Sequence, residues 1–79
     1  MISAILTYLR KERGLTQEEL ADELNISRSG YAHYEAGKRK PSVDILIIIA
    51  DYYETSIDYL LGRTYVRNPY PKHSKDRNY

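Results

Sequence analysis

The sequence has no cysteine, no tryptophan and no phenylalanine, one methionine and three prolines among its 79 residues. Without cysteine there is no disulfide framework and no thiolate zinc site, so a cytoplasmic protein is the expectation. Long apolar runs are missing too. The longest, residues 45–50, falls far short of the roughly 20 residues that a membrane-spanning helix needs. The N-terminus lacks the basic-then-apolar layout of a secretory leader, and neither export nor a membrane partner is expected. An excess of one charge sign is also absent: 12 Lys and Arg stand against 11 Asp and Glu, a formal net charge of +1. As a sum, that argues against a general polyanion binder. Two histidines, no cysteine and no glycine-rich phosphate loop leave no nucleophile-base pair to assemble. The chain is therefore not expected to be an enzyme, nor to hold a cofactor or a metal.

What is present is enough apolar content, 42%, for one small core, with all of the aromatic residues tyrosines. The charge is also less even than its sum. Residues 1–65 carry eight basic and ten acidic side chains, whereas residues 66–79 carry Arg67, Lys72, Lys75 and Arg77 against Asp76 alone.

Ile2, Ile5, Leu6 and Leu9 recur at helical spacing and stop at Gly14, which predicts a first helix over about residues 2–13. Thr16-Gln17-Glu18-Glu19 is a capping box that starts a second helix, with Leu20, Ala21 and Leu24 on its buried side and Asn25 ending it. Ser27 caps a third helix carrying Tyr31 and Tyr34 and closing at Gly37. Pro41 ends the connecting loop, and Ser42, with Asp44 in the first turn, opens a fourth helix. One stripe of that helix, Val43, Leu46, Ile49, Ala50 and Tyr53, is expected in the core. The β-branched run 45–49 also fits a buried strand, but the Ser42 cap and the lack of a partner strand favour the helix. Ser56 and Asp58 open a short fifth helix with Ile57, Leu60 and Leu61, ending at Gly62. The division that follows is 1–62 as the folded domain and 63–79 as a basic, extended or disordered tail.

Two short capped helices joined by a turn of about three residues form a helix-turn-helix, whose second member fits a DNA major groove. Such pairs also occur as plain packing units. The residues themselves carry the further step. Leu9-Arg10, Gly14-Leu15-Thr16-Gln17-Glu18-Glu19-Leu20-Ala21, Ile26-Ser27-Arg28-Ser29, Tyr34-Glu35, Gly37-Lys38-Arg39-Lys40-Pro41-Ser42 and Ser56-Ile57-Asp58-Tyr59-Leu60-Leu61-Gly62 resemble the lambda-repressor/Cro-type (Xre) helix-turn-helix regulators over about residues 2–62. The resemblance implies an all-α, five-helix lambda-repressor-like domain with helices 2 and 3 as the helix-turn-helix and a short C-terminal tail. It implies a repressor that binds double-stranded DNA, at a pseudo-palindromic operator, as a homodimer.

By the same resemblance, Arg28, Ser29, Ala32 and His33 take the base-facing positions of the recognition helix. Arg28 is the best reader on chemical grounds, because its planar fork meets guanine O6 and N7 together. Gln17 corresponds to a phosphate anchor that also buttresses the recognition helix, and Ser27 is a further candidate phosphate contact. Lys38, Arg39 and Lys40 follow the recognition helix on a loop, where three cations suit phosphate clamping. Arg10 and Glu35 match a structural ion pair. Gly30 and Tyr31 depart from the pattern: Gly30 weakens the helix, and the Tyr31 phenol is expected to reach a phosphate, with core packing as the alternative. On helix 4, Ile45, Ile48 and Tyr52 form a second apolar face. A second subunit, a protein partner, or the tail folding back with Tyr65, Val66 and Tyr70 is expected to cover it. The alternative function is an antitoxin-like or anti-repressor-like interaction module using that face, with Ile48 and Tyr52 essential.

Overall fold

Capping chemistry sets the helix boundaries. In the computed structural model, which describes residues 2–67, the chain forms α1 (Ile2–Glu12), α2 (Gln17–Leu24), α3 (Arg28–Glu35), α4 (Val43–Tyr53) and α5 (Ile57–Leu60), with no strand among the described residues. The Thr16 hydroxyl accepts the Glu19 N–H at 3.0 Å while the Glu19 carboxylate accepts the Thr16 N–H at 2.8 Å. Ser27, Ser42 and Ser56 cap α3, α4 and α5 through the N–H groups of Gly30, Ile45 and Tyr59. Each such cap is worth about 1 kcal/mol.

The helix ends share one device as well. After every helix a left-handed residue, Gly14, Asn25, Gly37, Glu54 or Gly62, turns the chain so that two N–H groups return to the last carbonyls. After α3 these are Gly37 to Tyr34 and Lys38 to His33. The αL backbone of Gly37, φ 74°, throws the Lys38, Arg39 and Lys40 loop sharply off the helix axis.

Leu6 and Leu9 of α1, Leu20, Ala21 and Leu24 of α2, Tyr31 of α3, Leu46, Ile49, Ala50 and Tyr53 of α4, and Leu60 of α5 form a single core. α1 packs on α3 and α5, and α2 packs on α3 and α4. Val43 departs from the expected stripe: as the first residue of α4 it lies at the end of the packed surface and stays 68% exposed.

Past α5, the Arg67 guanidinium forks the Glu12 carboxylate at 2.7 and 3.1 Å, and the Thr55 hydroxyl donates to the Arg67 carbonyl. This brings residues 63–67 back against the end of α1. Tyr65 and Val66, expected as a cover for helix 4, are exposed instead. Tyr70 and the cations Lys72, Lys75 and Arg77 lie outside the described residues.

Candidate nucleic-acid interface

The three-residue turn between α2 and α3 is short because both of its ends are fixed. Asn25, left-handed at φ 58°, closes α2, Ile26 packs against the core, and Ser27 caps α3. The two helices are thereby held against each other. At about 100° per residue, Arg28, Ala32, Ser29 and His33 fall in one arc of α3, and Gly30, Tyr31 and Tyr34 in the other. Arg28, Ser29 and His33 are exposed and Ala32 is half-buried. The Ser27 hydroxyl, besides capping, lies 3.1 Å from the Ser29 hydroxyl. Lys38, Arg39 and Lys40 are all exposed beside the end of α3.

Behind this surface sits Glu35. Its side chain is 4% exposed. Arg10 meets it with Nε at 2.7 Å and Nη2 at 3.0 Å, and sends Nη1 to the Leu15 carbonyl at 2.8 Å. Thr7 Oγ1 and Gln17 Nε2 each donate to Glu35 Oε1 at 3.0 Å. Burial by itself would push the carboxyl up, but the hydrogen bonds, led by that from Arg10, outweigh it and hold the group down to about 2. The carboxylate thus ties α1, the start of α2 and the end of α3 into one unit. Gln17 has one amide hydrogen on Glu35 and keeps a second for another acceptor. Thr7 was not singled out from the sequence, although its i, i+3 spacing to Arg10 puts both on one face of α1.

Arg28 is not a free side chain. Its Nε donates to Asp22 Oδ1 at 3.0 Å and its Nη2 to Asp22 Oδ2 at 2.8 Å, while Nη1 stands 3.9 Å from Glu18 Oε2. This fork raises the affinity of the guanidinium for its proton and lowers the Asp22 carboxyl below its ordinary range. No local spacing rule links residues 22 and 28, because the turn between their helices sets their distance.

Two sequence expectations are corrected. Tyr31 does not reach outward to a phosphate: its side chain is fully buried, edge-on to Tyr34 at 6.5 Å. At about 100° per residue, position 31 falls on the inner arc of α3 with Gly30 and Tyr34. Its hydroxyl has no partner in ordinary hydrogen-bond geometry, yet it lies close enough to Glu35 to help hold that carboxyl down. Burial, and then the Glu35 charge, push the phenol's own pKa up.

The face of Ile45, Ile48 and Tyr52 is not an open stripe either. Ile45 and Tyr52 pack partly on the chain's own core. The Tyr52 hydroxyl donates to Glu23, and the Arg13 guanidinium lies 4.7 Å from its ring centroid. Only Ile48 of the three is exposed, at 40%. Among residues 2–62 the other exposed large apolar side chains are Tyr8, Val43, Ile47 and Leu61, and Leu61 lines a cleft of about 410 Å³ with Ile2, Lys40, Pro41 and Leu46. Among the described residues no helix is long and apolar enough to cross a membrane, and no three His, Asp or Glu side chains gather to hold a metal.

This geometry meets its counterparts in known proteins. A family profile described as "Helix-turn-helix" matches residues 6–60. The chain is 46% identical over 67 residues to the uncharacterized HTH-type transcriptional regulator YobD of Bacillus subtilis, covering 85% of this chain and 58% of that one. It is 46% identical over 58 residues to the cryptic phage CTXphi transcriptional repressor RstR of Vibrio cholerae, covering 73% and 52%. A crystal structure of a transcriptional regulator from Listeria innocua superposes with a TM-score of 0.73 at 31% identity, over 98% of this chain and 65% of the other. The chain spans about half the length of the curated relatives it matches. With its five helices, its α2–α3 pair and the matched residues 6–60, the chain belongs to the lambda-repressor/Cro-type (Xre) helix-turn-helix family.

Proposed function

We propose that this chain is a sequence-specific DNA-binding transcription regulator of the cytoplasm, with α3 in the major groove and no catalytic role. The observation that carries the reading is the exposed arc of Arg28, Ser29, Ala32 and His33 on a helix locked from behind by Glu35, flanked by Lys38, Arg39 and Lys40. An arginine and small polar groups on a rigid helix suit base edges, and three loop cations suit phosphates. Gln17 and Ser27, each at the N-terminal end of its helix, add donors for the backbone.

Repression is the mode we favour, because RstR, a repressor by name, shares this domain. The chain acts as a homodimer on a two-fold operator, and Val43, Ile47 and Leu61 are the apolar side chains that a second copy would cover. Selection of bound duplexes from a random pool tests all of this at once. The expected result is a pseudo-palindrome with half-sites about 10 bp apart. Enrichment of no sequence at low salt would reject the reading, and a monomer by sedimentation at high micromolar concentration would reject the dimer.

A further inference from the structure

The Arg28–Asp22 pair carries an inference that rests on the DNA-reading function and adds a residue to it. We infer that Asp22 is a positioning residue for base recognition: it holds the Arg28 guanidinium side-on so that the end-on edge meets one guanine.

A guanidinium offers two edges that a planar acceptor pair can match. The side-on edge is Nε with Nη2, and the end-on edge is Nη1 with Nη2. Asp22 occupies the first, at 3.0 and 2.8 Å. The second is left for an acceptor pair, because Glu18 Oε2, 3.9 Å from Nη1, is beyond hydrogen-bond reach. Guanine presents such a pair in O6 and N7, whereas adenine puts an amino donor in place of O6. An unheld arginine loses much rotamer freedom on docking, and one already forked by a carboxylate loses less.

Asp22 is itself fixed. It lies in the last turn of α2, and its carbonyl accepts the Asn25 N–H at 3.1 Å, a bond of the turn that leads into α3. The pair therefore bridges the two helices across the turn, at the first residue of the recognition helix. The carboxylate also repels phosphates, so its charge disfavours DNA on which Arg28 finds no guanine.

The test is selection from a random duplex pool with the wild type, Arg28→Ala, Asp22→Ala and Glu18→Gln, after circular dichroism and melting establish that each is folded. Arg28→Ala identifies the base pair that Arg28 reads. Asp22→Ala is expected to lower the guanine preference at that pair about tenfold, to leave the other positions unchanged and to tighten binding to random DNA. Glu18→Gln removes a charge from the same helix without removing the fork, and is expected to leave the preference intact. Retention of the full preference in Asp22→Ala, or an equal loss in Glu18→Gln, would overturn the role of Asp22 while leaving DNA reading in place. A wild type that enriches no sequence would overturn both.

Discussion

Gly30 puts into the first turn of α3 a residue that weakens a helix by roughly 0.5–1 kcal/mol relative to alanine. Its backbone is not left-handed, and a Cβ built there meets only the Ser27 side chain, at 3.4 Å. The fold therefore has room for alanine. Gly30→Ala is expected to raise the urea midpoint, by about 0.5–1 kcal/mol in stability. Because Gly30 lies on the buried arc of α3, operator affinity is expected to be unchanged in the same variant. At this scale the sequence was uneven in what it disclosed. Arg10 and Glu35 stand where the family pattern has an ion pair, and their geometry is bidentate. Tyr31 was not legible in the same way, because a phenol suits a polar or an apolar surrounding equally until its packing is known. The role of Asp22 was not legible, because its partner Arg28 lies across the turn between α2 and α3.

Helix starts were legible wherever a serine or threonine preceded an apolar period, and Thr16, Ser27, Ser42 and Ser56 all act as caps. Helix ends were legible only where glycine or asparagine marked them. The end of α4 carries neither: Glu54 adopts the left-handed conformation at φ 53°, which a side-chain-bearing residue resists by about 1–2 kcal/mol. Tertiary packing forces it, since Ala50 and Tyr53 must face the core while Thr55 and Ser56, both buried, lead directly into α5. Glu54→Gly is expected to stabilise the domain by about 1 kcal/mol, read as a higher melting temperature. An unchanged or lower melting temperature would mean that the left-handed turn carries no strain. The cover over the outer surface of α4 was not legible for a related reason. Helical spacing identifies which side chains share a face, but not that Arg13 and Glu23, from α2 and the segment before it, reach over to cover Tyr52.

Across the whole molecule, Glu35 joins three helices, and its titration sets an acid limit on stability. Its folded carboxyl is held down to about 2 against an ordinary 4.5. An unfolded chain therefore takes up the proton first as pH falls. The stabilisation is fully present above about 4.5 and is lost as pH drops toward 2, amounting to about 3 kcal/mol. Urea midpoints measured between pH 6 and pH 2 are expected to decline over that window. Arg10→Met leaves the buried carboxylate without its main partner and is expected to cost about 3–5 kcal/mol, much of the stability of a domain this small. It abolishes DNA binding by unfolding. An Arg10→Met variant that is fully folded yet inactive would contradict the structural role of the pair.

The near-neutral sum of charges also resolves at this scale. Arg28 at the start of α3 and Lys38, Arg39 and Lys40 after its end are all exposed, and Glu18 and Asp22 of α2 stand beside Arg28. Such a distribution suits a protein that grips its operator and holds random DNA weakly. The most direct measurement is the affinity of the wild type, Arg28→Ala and Lys38→Ala for the selected operator and for random duplex, across a salt series. Arg28→Ala is expected to lose about 10- to 100-fold on the operator at one base pair per half-site, with little change on random DNA. Lys38→Ala is expected to weaken both duplexes alike and to reduce the salt slope by about one. Equal losses on operator and random DNA for Arg28→Ala would contradict the assignment of α3 as the base-reading helix.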